Sequence, residues 1–551
     1  MRNWYKSGEP WIWTTAGAVA LSLVAVYAVV WLTAARGLTH FWPKPLVETV
    51  VKMPDGAQGR LIGELREKEE VSVARLREAG FTIDSQDSFS YRYLFKQGNR
   101  DVYGVDFKWF AAPMLGEFTQ PLDLITIERR EWGNFYGHLK ALKSSGKVVA
   151  EGAAAWPELE KRLARSNALF NEALRIEKSD IGKINFALER LRLSERKLEL
   201  QGRLGEADKA DFSRQRAARE ADFAALQGRL ESIRHELEQD SISVEIMTGA
   251  LVDIPMSKVA DVYLPNAMNL WDKITFYAHK FSEFVADDPR EANTEGGIFP
   301  AIFGTVMMVL LMSAMVTPLG IMAAVYMREY ARQGPLIRVI RISVNNLAGV
   351  PSIVYGVFGL GFFVYFLGGN IDQLFFPEAL PAPTFGSPGI LWASLTLAIL
   401  TLPVVIVSTE EGLARVPRSV REGSLALGAT KAETLWRTVL PMASPAMMTG
   451  LILAVARAAG EVAPLMLVGV VKLAPSLPLD GNFPFLHLER KFMHLGFHIY
   501  DVGFQSPNVE AARPLVYATA LLLVIIIVVL NLAAIRMRNR LRERLRGLDG
   551  V

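Results

Sequence analysis

The sequence predicts an all-α polytopic membrane protein with six transmembrane helices. An inserted α+β domain bearing a helical-hairpin coiled coil separates the first span from the other five. Two observations indicate this fold class: six long apolar segments, and a polar, densely charged stretch between the first and the second. A membrane-crossing helix needs about 20 mostly apolar residues. The qualifying segments are residues 11–35, 299–326, 344–367, 390–408, 446–471 and 515–535.

The first apolar segment, residues 11–35, is predicted to be a retained membrane helix and not a cleaved signal peptide. It is too long for a signal peptide, and it carries tryptophans near both ends, at Trp11, Trp13 and Trp31. Tryptophan is enriched where a membrane helix meets water. A small-residue cleavage site does not follow at the expected place.

Charge predicts the orientation of the spans. Clusters of arginine follow the second, fourth and sixth spans, whereas residues 368–389, between the third and fourth, contain no Lys or Arg. Because basic loops stay on the cytoplasmic side, we expect both termini, residues 1–10 and 536–551, to be cytoplasmic. Residues 36–295 then lie outside the cytoplasm.

Composition excludes several classes of function. The chain of 551 residues has no cysteine, so it forms neither a disulfide framework nor a thiolate metal site. Its seven histidines show no metal-ligand spacing, and we expect no metal site. A net charge of +3 gives no argument for nucleic-acid binding. The phosphate-binding motif G-x-x-x-x-G-K-[ST] is absent from the sequence, so ATP is not bound by such a loop.

The pattern of residues 36–295 predicts strands first and then two long helices. Residues 88–110 alternate aromatic and polar side chains around Gly98-Asn99, which is typical of a β-hairpin with a tight turn. The segments "LDLITIERREW", "GKVVAEG" and "SISVEIMTGALVDIPMSKV" are further strand candidates.

Apolar residues at spacings of three and four then predict a coiled-coil hairpin over residues 157–239, with arms of roughly 157–201 and 207–239. Each arm would be on the order of 50–65 Å long. A solvated stalk and a docking arm for a partner protein are both compatible with this pattern.

The loop after the fourth span, residues 410–441, predicts a short helix presented on the cytoplasmic side. The helix is expected over about residues 417–427, with Gly428 ending it, and a second helix over about 431–439. Gly423 and Ser424 would permit close approach of another protein. The apolar anchors expected for that protein are Leu425, Leu427, Leu435 and Trp436.

The fifth span contains an ionisable pair, Arg457 and Glu461. A charged residue near the middle of a membrane helix costs roughly 2.5–3.5 kcal/mol on insertion scales, so the pair needs a reason. At four residues apart, the two side chains share a helix face, either as an ion pair that pins helix packing or as part of a transport pathway. Pro464 is expected to soften the helix just beyond them.

The sequence resembles the permeases of ATP-binding-cassette (ABC) importers. Glu422 and Gly428, followed by Leu440-Pro441, match the "EAA" coupling loop of that family. Gly423-Ser424 replaces the usual Ala-Ala, and Gly423 weakens the helix by up to ~1 kcal/mol relative to alanine. Residues 295–305, 345–360 and 456–469 are similar to phosphate-import permeases, more to the PstA type than to the PstC type. The likeness is good over residues 295–535, weak over the first span, and covers little of residues 36–239.

This resemblance implies a type I ABC importer permease fold over residues 296–535 and a role in importing inorganic phosphate. The implied partners are a second permease subunit (PstC type), a dimer of ATP-binding subunits (PstB type) and a periplasmic phosphate-binding protein (PstS type). Membrane lipid and the phosphate ion complete the set. The chain would bind no cofactor and carry no catalytic residue, because a separate ATPase supplies the energy.

The resemblance also implies roles for individual residues. The ATPase-coupling residues would be Glu422, Gly423, Ser424, Leu425 and Gly428. The substrate-pathway residues would be Arg457 and Glu461, with Asn345 and Asn346 near the start of the third span as weaker candidates, and Pro464 would be a hinge.

Three alternatives remain open from the sequence. The first is a permease for another oxyanion, such as sulfate or molybdate, because the coupling loop does not distinguish substrates. The second is a membrane phosphate sensor, although six spans are many for a sensor. The third, a scaffold built on the coiled coil, explains neither Arg457 nor the coupling loop.

Overall fold

The computed structural model describes residues 7–52, 58–78, 88–290, 293, 295–506 and 509–546. The chain divides into two compact units. The membrane unit consists of Met1–His40 and Ile298–Val551, and the inserted unit of Phe41–Gly297.

The inserted unit contains the strands. In chain order they are β1 (Leu46–Lys52), β2 (Gln58–Ser72), β3 (Phe89–Lys96), β4 (Phe107–Ala111), β5 (Leu124–Arg129), β6 (Phe135–Ser144), β7 (Lys147–Glu151), β8 (Asp240–Glu245), β9 (Leu251–Pro255), β10 (Val259–Tyr263), β11 (Pro289–Arg290) and β12 (Glu295–Gly296).

The helices of both units follow the same numbering along the chain. They are α1 (Glu9–Leu38), α2 (Val73–Glu78), α3 (Arg100–Tyr103), α4 (Ala155–Arg175), α5 (Ile181–Leu200), α6 (Glu206–Glu238), α7 (Leu270–Ala286), α8 (Phe299–Val325), α9 (Pro335–Leu347), α10 (Ser352–Phe358), α11 (Gly369–Phe375), α12 (Ile390–Arg415), α13 (Arg418–Ala426), α14 (Lys431–Thr434), α15 (Leu440–Gly460), α16 (Leu465–Val468), α17 (Leu495–Tyr500) and α18 (Val509–Arg546).

Two antiparallel sheets form the base of the inserted unit. One has the order β1-β2-β3-β4, and the other has the order β10-β5-β6-β8-β9 with β7 also paired to β6. Ile125, Ile127 and Phe135 from β5 and β6 are buried in the core of the second sheet. Alternate residues of a strand point to opposite faces, so one face of each sheet is free to pack into a core.

The predicted hairpin at residues 88–110 exists as the antiparallel pair of β3 and β4. The tight turn at Gly98-Asn99 is wrong, because residues 97–106 connect the strands and include α3. Asn99 pairs with another strand instead: its side-chain amide donates to the Tyr136 carbonyl at 3.0 Å and accepts from the Tyr136 N–H at 2.7 Å. This long-range pairing explains why a local turn signal fails here.

A helical hairpin projects from the second sheet. A π-helical turn, Ile176–Asp180, joins α4 to α5 in one arm, and α6 forms the other arm. The arm ends lie within two residues of the predicted bounds. Apolar packing near the base, including Ile176 and Ile233, combines with ion pairs between the arms. These pairs are Arg229–Glu172 at 2.9 Å, Arg234–Glu177 at 2.8 Å and Arg216–Glu195 at 2.6 Å.

Within the described residues, six helical segments are long and apolar enough to cross a membrane. They are Glu9–Phe41, Phe299–Tyr330, Ser352–Phe375, Ile390–Arg415, Lys431–Gly460 and Ala512–Arg540. The fourth, α12, is the centre of the bundle and packs between α8 and α15. The first span packs against α18, where Arg36 donates a hydrogen bond to the Tyr517 hydroxyl at 2.9 Å.

The third span begins later than predicted. Residues 335–347 form a separate helix, α9, and the span proper starts at Ser352. Pro351 causes the interruption, because proline lacks the N–H that continues a helix and disfavours helical backbone in the preceding residue. Asn345 and Asn346 therefore lie on α9, exposed, and not in the third span.

The fifth span also differs from the prediction of residues 446–471. It begins at Lys431, because a π-helical turn at Leu435–Val439 joins α14 to α15, and it ends at Gly460. Proline has no N–H, so the carbonyl four residues before it loses its helical hydrogen bond, and the proline ring clashes with that carbonyl. Pro464 stands in this relation to Gly460, so the helix stops there and resumes as the short α16.

Candidate functional site

The break between α15 and α16 interrupts the helical backbone where the fifth span ends. Glu461 has extended backbone angles of φ −78° and ψ 134°. Ala458 and Ala459 before the break, and Leu465 and Val468 after it, all belong to the buried core of the bundle. The break is therefore built into the packed fold. Irregular backbone of this kind is tolerated at membrane depth where protein or a cavity surrounds it.

Arg457 and Glu461 meet at this break. The Arg457 Nε lies 3.5 Å from a carboxylate oxygen of Glu461, and the two side chains are 34% and 21% exposed. The predicted contact between them is present, but Glu461 lies beyond the helix and not within it. A guanidinium in the last turn of α15 is also favoured by the partial negative charge of the helix C-terminus, worth typically 0.3–1 kcal/mol.

Helix α10 packs tightly against the break. A Cβ built on Gly356 would lie 2.7 Å from the Cα of Pro464, so only glycine permits this approach. Tyr355, next to it, is buried and within electrostatic range of Arg457, and its hydroxyl donates to the Leu347 carbonyl at 2.6 Å. The site thus joins the third and fifth spans.

Two predicted pathway features take different positions from those expected. Pro464 precedes the first turn of α16, where proline is well tolerated, so the softening of a continuous helix is wrong. Asn345 and Asn346 are exposed near the end of α9, next to the Leu347 carbonyl that binds Tyr355.

The coupling segment, residues 418–436, has one anchored face and one exposed face. Arg421 anchors α13: its guanidinium donates to the Leu413 carbonyl at 2.6 Å and pairs with Glu329 at 3.1 Å. Gly428 follows with φ +89°, a left-handed conformation that suits glycine at a helix end. Thr430 and Glu433 then form the capping box of α14.

The exposed face presents apolar side chains to solvent. Leu427 is 91% exposed and Trp436 is 74% exposed, and Leu425, Glu422 and Gly423 are exposed beside them. Such a patch on a fixed helix is typical of a protein-interaction surface.

Two of the predicted coupling residues belong to the anchored face instead. Leu435 is wrong as an anchor, because it is 3% exposed and packs with Leu413 and Val439. Ser424 is only half-exposed, since its hydroxyl hydrogen-bonds to the Thr434 hydroxyl at 2.9 Å.

Comparison with known proteins places these features in a family. Residues 316–547 match the family described as "Binding-protein-dependent transport system inner membrane component". The phosphate transport system permease protein PstA of Mycobacterium leprae is 32% identical over 259 residues, covering 47% of this chain and 78% of that protein. PstA 1 of Mycobacterium tuberculosis H37Rv is 36% identical over 247 residues, covering 44% and 70%. The chain belongs to the PstA family of ABC transporter permeases.

Family membership confirms the coarse predictions. The membrane unit of this permease has the type I ABC importer permease fold with six apolar helices, in a multi-pass inner-membrane protein. Permeases of this family are transport components and not enzymes. The matched residues 316–547 include both the break and the coupling segment, whereas the inserted unit lies outside them.

Sequence reasoning missed the charges that fasten the coupling segment to the spans. Glu329 at the end of the second span receives Arg421, and its carbonyl accepts a hydrogen bond from Lys431. Arg341 of α9 makes two hydrogen bonds to Glu410 of α12, at 3.1 and 3.3 Å. In the sequence, these charges are seen only as charged residues near the ends of apolar spans. That position indicates how a span is oriented, but it does not show which residues pair.

Proposed function

We propose that this chain is the membrane-spanning permease subunit of an ATP-driven importer of inorganic phosphate. Several relatives are named as phosphate transport system permeases, which supports phosphate as the substrate. The other components are a second permease of PstC type, an ATP-binding dimer of PstB type and a periplasmic phosphate-binding protein of PstS type. The chain itself binds no cofactor. The arginine clusters support cytoplasmic termini and a periplasmic inserted unit at residues 36–295.

One observation carries the proposal: a partly exposed guanidinium at a break in a membrane helix. A phosphate ion that leaves water needs fixed donors, and the planar fork of arginine donates two hydrogen bonds to adjacent oxygens while staying charged. Discontinuous membrane helices recur at ion and substrate sites of transporters. We therefore assign Arg457 to the phosphate pathway.

Glu461 gives Arg457 a second partner when phosphate is absent. A lone arginine would hold a phosphate dianion too tightly for turnover, whereas a neighbouring carboxylate competes with the ion for the guanidinium. The 3.5 Å separation is longer than a strong charge-assisted hydrogen bond of about 2.7–2.9 Å, which is consistent with a pair that exchanges readily. Pro464 and the two asparagines, Asn345 and Asn346, remain proposed supporting residues of this pathway.

The coupling segment transmits the ATPase movement to the spans. Leu425, Leu427 and Trp436 enter a cleft of the ATPase subunit, with Glu422, Gly423 and Gly428 allowing a close fit. The Arg421–Glu329 ion pair then links the displaced segment to the second span. Closure of the ATPase dimer in this way alternates access to Arg457 between the two sides of the membrane.

The helical hairpin of the inserted unit is proposed to be a coiled coil. The antiparallel ion pairs between its arms support this interpretation. A solvated stalk and a docking arm remain the two candidate roles.

The substitution Arg457→Gln tests the pathway. We expect it to abolish uptake of radiolabelled phosphate by proteoliposomes that contain the complete complex, while the complex still assembles. Arg540→Gln, an exposed arginine of the C-terminal tail, is the matched control and should transport normally. An Arg457→Gln complex that assembles and transports at the normal rate removes Arg457 from the mechanism.

Competition decides the alternative of another oxyanion. Excess unlabelled phosphate should suppress labelled uptake, whereas equal concentrations of sulfate or molybdate should not. No uptake of labelled phosphate by the wild-type complex, with uptake of labelled sulfate or molybdate instead, would assign the chain to a different substrate and leave the permease fold unaffected.

A further inference from the structure

Helix α7 of the inserted unit carries an apolar face that is exposed in the described part of the chain. Leu270 is 68% exposed, Trp271 71%, Ile274 41% and Phe281 37%. At 3.6 residues per turn these four positions, together with Ala278 and Val285, fall in a stripe about 100° wide along the whole helix. We call this set of six residues the apolar stripe.

The flank of the stripe next to Leu270 is firmly held. Phe284 is buried, and Lys280 is only 10% exposed among the carboxylates of Glu128, Asp261 and Glu283, at 2.6, 2.9 and 3.0 Å. The N-terminus is closed by a capping box on Asn269. The exposure of the stripe is therefore a property of a fixed helix and not of a loose segment.

Polar residues border the stripe on its other side. Asp272 and His279 are exposed, and on a helical wheel they lie about 100° beyond Trp271. An apolar stripe flanked by charged residues is the pattern of a helix that lies in the plane of a membrane surface.

The first chain connection of the inserted unit contacts the C-terminal half of α7. The ring of Phe41 packs on Tyr277, Phe281 and Phe284, with centroid distances of 5.9, 5.5 and 5.1 Å. Phe41 is three residues beyond Leu38, the last residue of α1, so at most about 11 Å of chain separates them.

A second connection ties the C-terminal end of the helix in the same way. The Asp288 carbonyl accepts a hydrogen bond from the Gly297 N–H at 3.0 Å, and Gly297 lies two residues before Phe299, where the second span starts. Both chain passages between the units are thus attached at the C-terminal half of α7.

We propose that α7 lies flat on the lipid bilayer and buries its apolar stripe between the lipid headgroups. Continuity with the first two spans favours lipid over a protein as the partner, because only two to three residues of chain separate each span from the segment attached to this end of the helix. Trp271, at the far end of the stripe, suits this position because tryptophan is enriched at the headgroup level. The helix would hold the base of the inserted unit at a fixed height.

Spin labelling in the intact complex tests this inference, and the absence of cysteine makes single labels straightforward. Trp271→Cys and Ile274→Cys place a nitroxide on the stripe, whereas Asp272→Cys and His279→Cys are matched controls on the exposed polar side of the same helix. The labelled complexes are reconstituted into nanodiscs of phosphatidylcholine and phosphatidylglycerol. Collision rates are measured with oxygen, which concentrates in lipid, and with a water-soluble nickel chelate.

We expect oxygen to dominate over nickel several-fold at positions 271 and 274, and the reverse at 272 and 279. High nickel accessibility at all four positions would show that the stripe faces water and would overturn the proposal. Low accessibility to both reagents at 271 and 274 would show that a protein covers the stripe and would overturn it as well. The result does not depend on the identity of the transported ion. Ala278→Cys gives a second reading of the same stripe if a variant at position 271 fails to assemble.

Discussion

The exposed leucine of the coupling segment allows a prediction that separates docking from folding. Leu427 is 91% exposed, so its side chain contributes almost nothing to the stability of this permease alone. Almost all of its apolar surface is available to a partner. Truncation to alanine therefore affects an interface with little effect on the fold.

The size of the effect follows from the carbons removed. Leu427→Ala deletes three carbons, each worth about 0.8 kcal/mol when fully buried, or at most about 2.4 kcal/mol in total. Since every 1.4 kcal/mol is a factor of ten, full burial in the ATPase cleft predicts about 50-fold weaker binding and half burial about 7-fold.

Leu435→Ala is the matched control, because it makes the same chemical change on the anchored face. Leu435 is 3% exposed in a cluster with Leu413 and Val439. Its truncation leaves a cavity and should cost about 2–5 kcal/mol of stability. We expect Leu435→Ala to lower the thermal unfolding temperature, and Leu427→Ala to leave it unchanged.

The assay measures the affinity of the purified ATP-binding subunit for the paired permease subunits in nanodiscs, together with thermal unfolding of each variant. Unchanged affinity in Leu427→Ala, with the protein folded, would refute the assignment of this leucine to the ATPase interface. Equal losses of stability in both variants would instead show that Leu427 is buried in the folded permease.

Further predictions concern the backbone of the coupling segment and the charges of the inserted unit. Gly428→Ala forces a side chain into a left-handed conformation at a cost of roughly 1–2 kcal/mol, so we expect reduced phosphate-stimulated ATP hydrolysis in the assembled complex. Lys280→Met removes the ammonium that Glu128, Asp261 and Glu283 share; because these carboxylates are 21–30% exposed, we expect a loss of stability near the lower end of about 3–5 kcal/mol in calorimetry. Burial raises the pKa of Glu128, but attraction to Lys280 and Arg290, together with the hydrogen bond from Lys280, outweighs burial and lowers the pKa below 4.5. This stabilisation is present above about pH 4.5 and is lost on further acidification, and Glu128→Gln should weaken that pH dependence. Burial lowers the pKa of Lys44 to about 8, so its neutral amine should be acetylated faster than ordinary lysines near pH 8 by mass spectrometry, and stability should rise between about pH 8 and 10.5 as the unfolded chain retains the proton longer.

Local patterns in the sequence predicted most of the architecture. The apolar runs correspond to six membrane-length helices, and the three- and four-residue spacing corresponds to the two arms of the hairpin. These signals are local, because a run of apolar residues needs no knowledge of its neighbours in space. The contact of Arg457 with Glu461 is also predictable from the sequence, because the two residues are one helical turn apart.

The errors arise where partners are distant in sequence or where proline acts locally. Pro351 and Pro464 were visible, but their strength as helix terminators was underestimated, so two spans were displaced. Strand β2 carries seven charged residues among its 15, so it shows no clear strand pattern, and its pairing with β1 and β3 depends on the rest of the sheet. Leu427 and Leu435 are both leucines of the same loop and are both predicted to be apolar anchors. The packing of the bundle buries Leu435 and leaves Leu427 exposed.

A truncation tests the role of the helical hairpin, and the structure shows where to cut so that the base of the hairpin stays intact. Removing residues 164–237 would also remove Ser166 and Asn167, whose side chains donate to the Met256 and Ala260 carbonyls and fasten the hairpin to its sheet. A deletion of residues 182–227 instead spares the base, where Arg234 and Glu177 pair at 2.8 Å, and a short glycine-rich bridge can join the shortened arms. A stalk predicts normal phosphate uptake and an unchanged set of co-purifying proteins after this deletion. Loss of one co-purifying protein, with the permease still assembled, would identify the hairpin as that protein's docking arm.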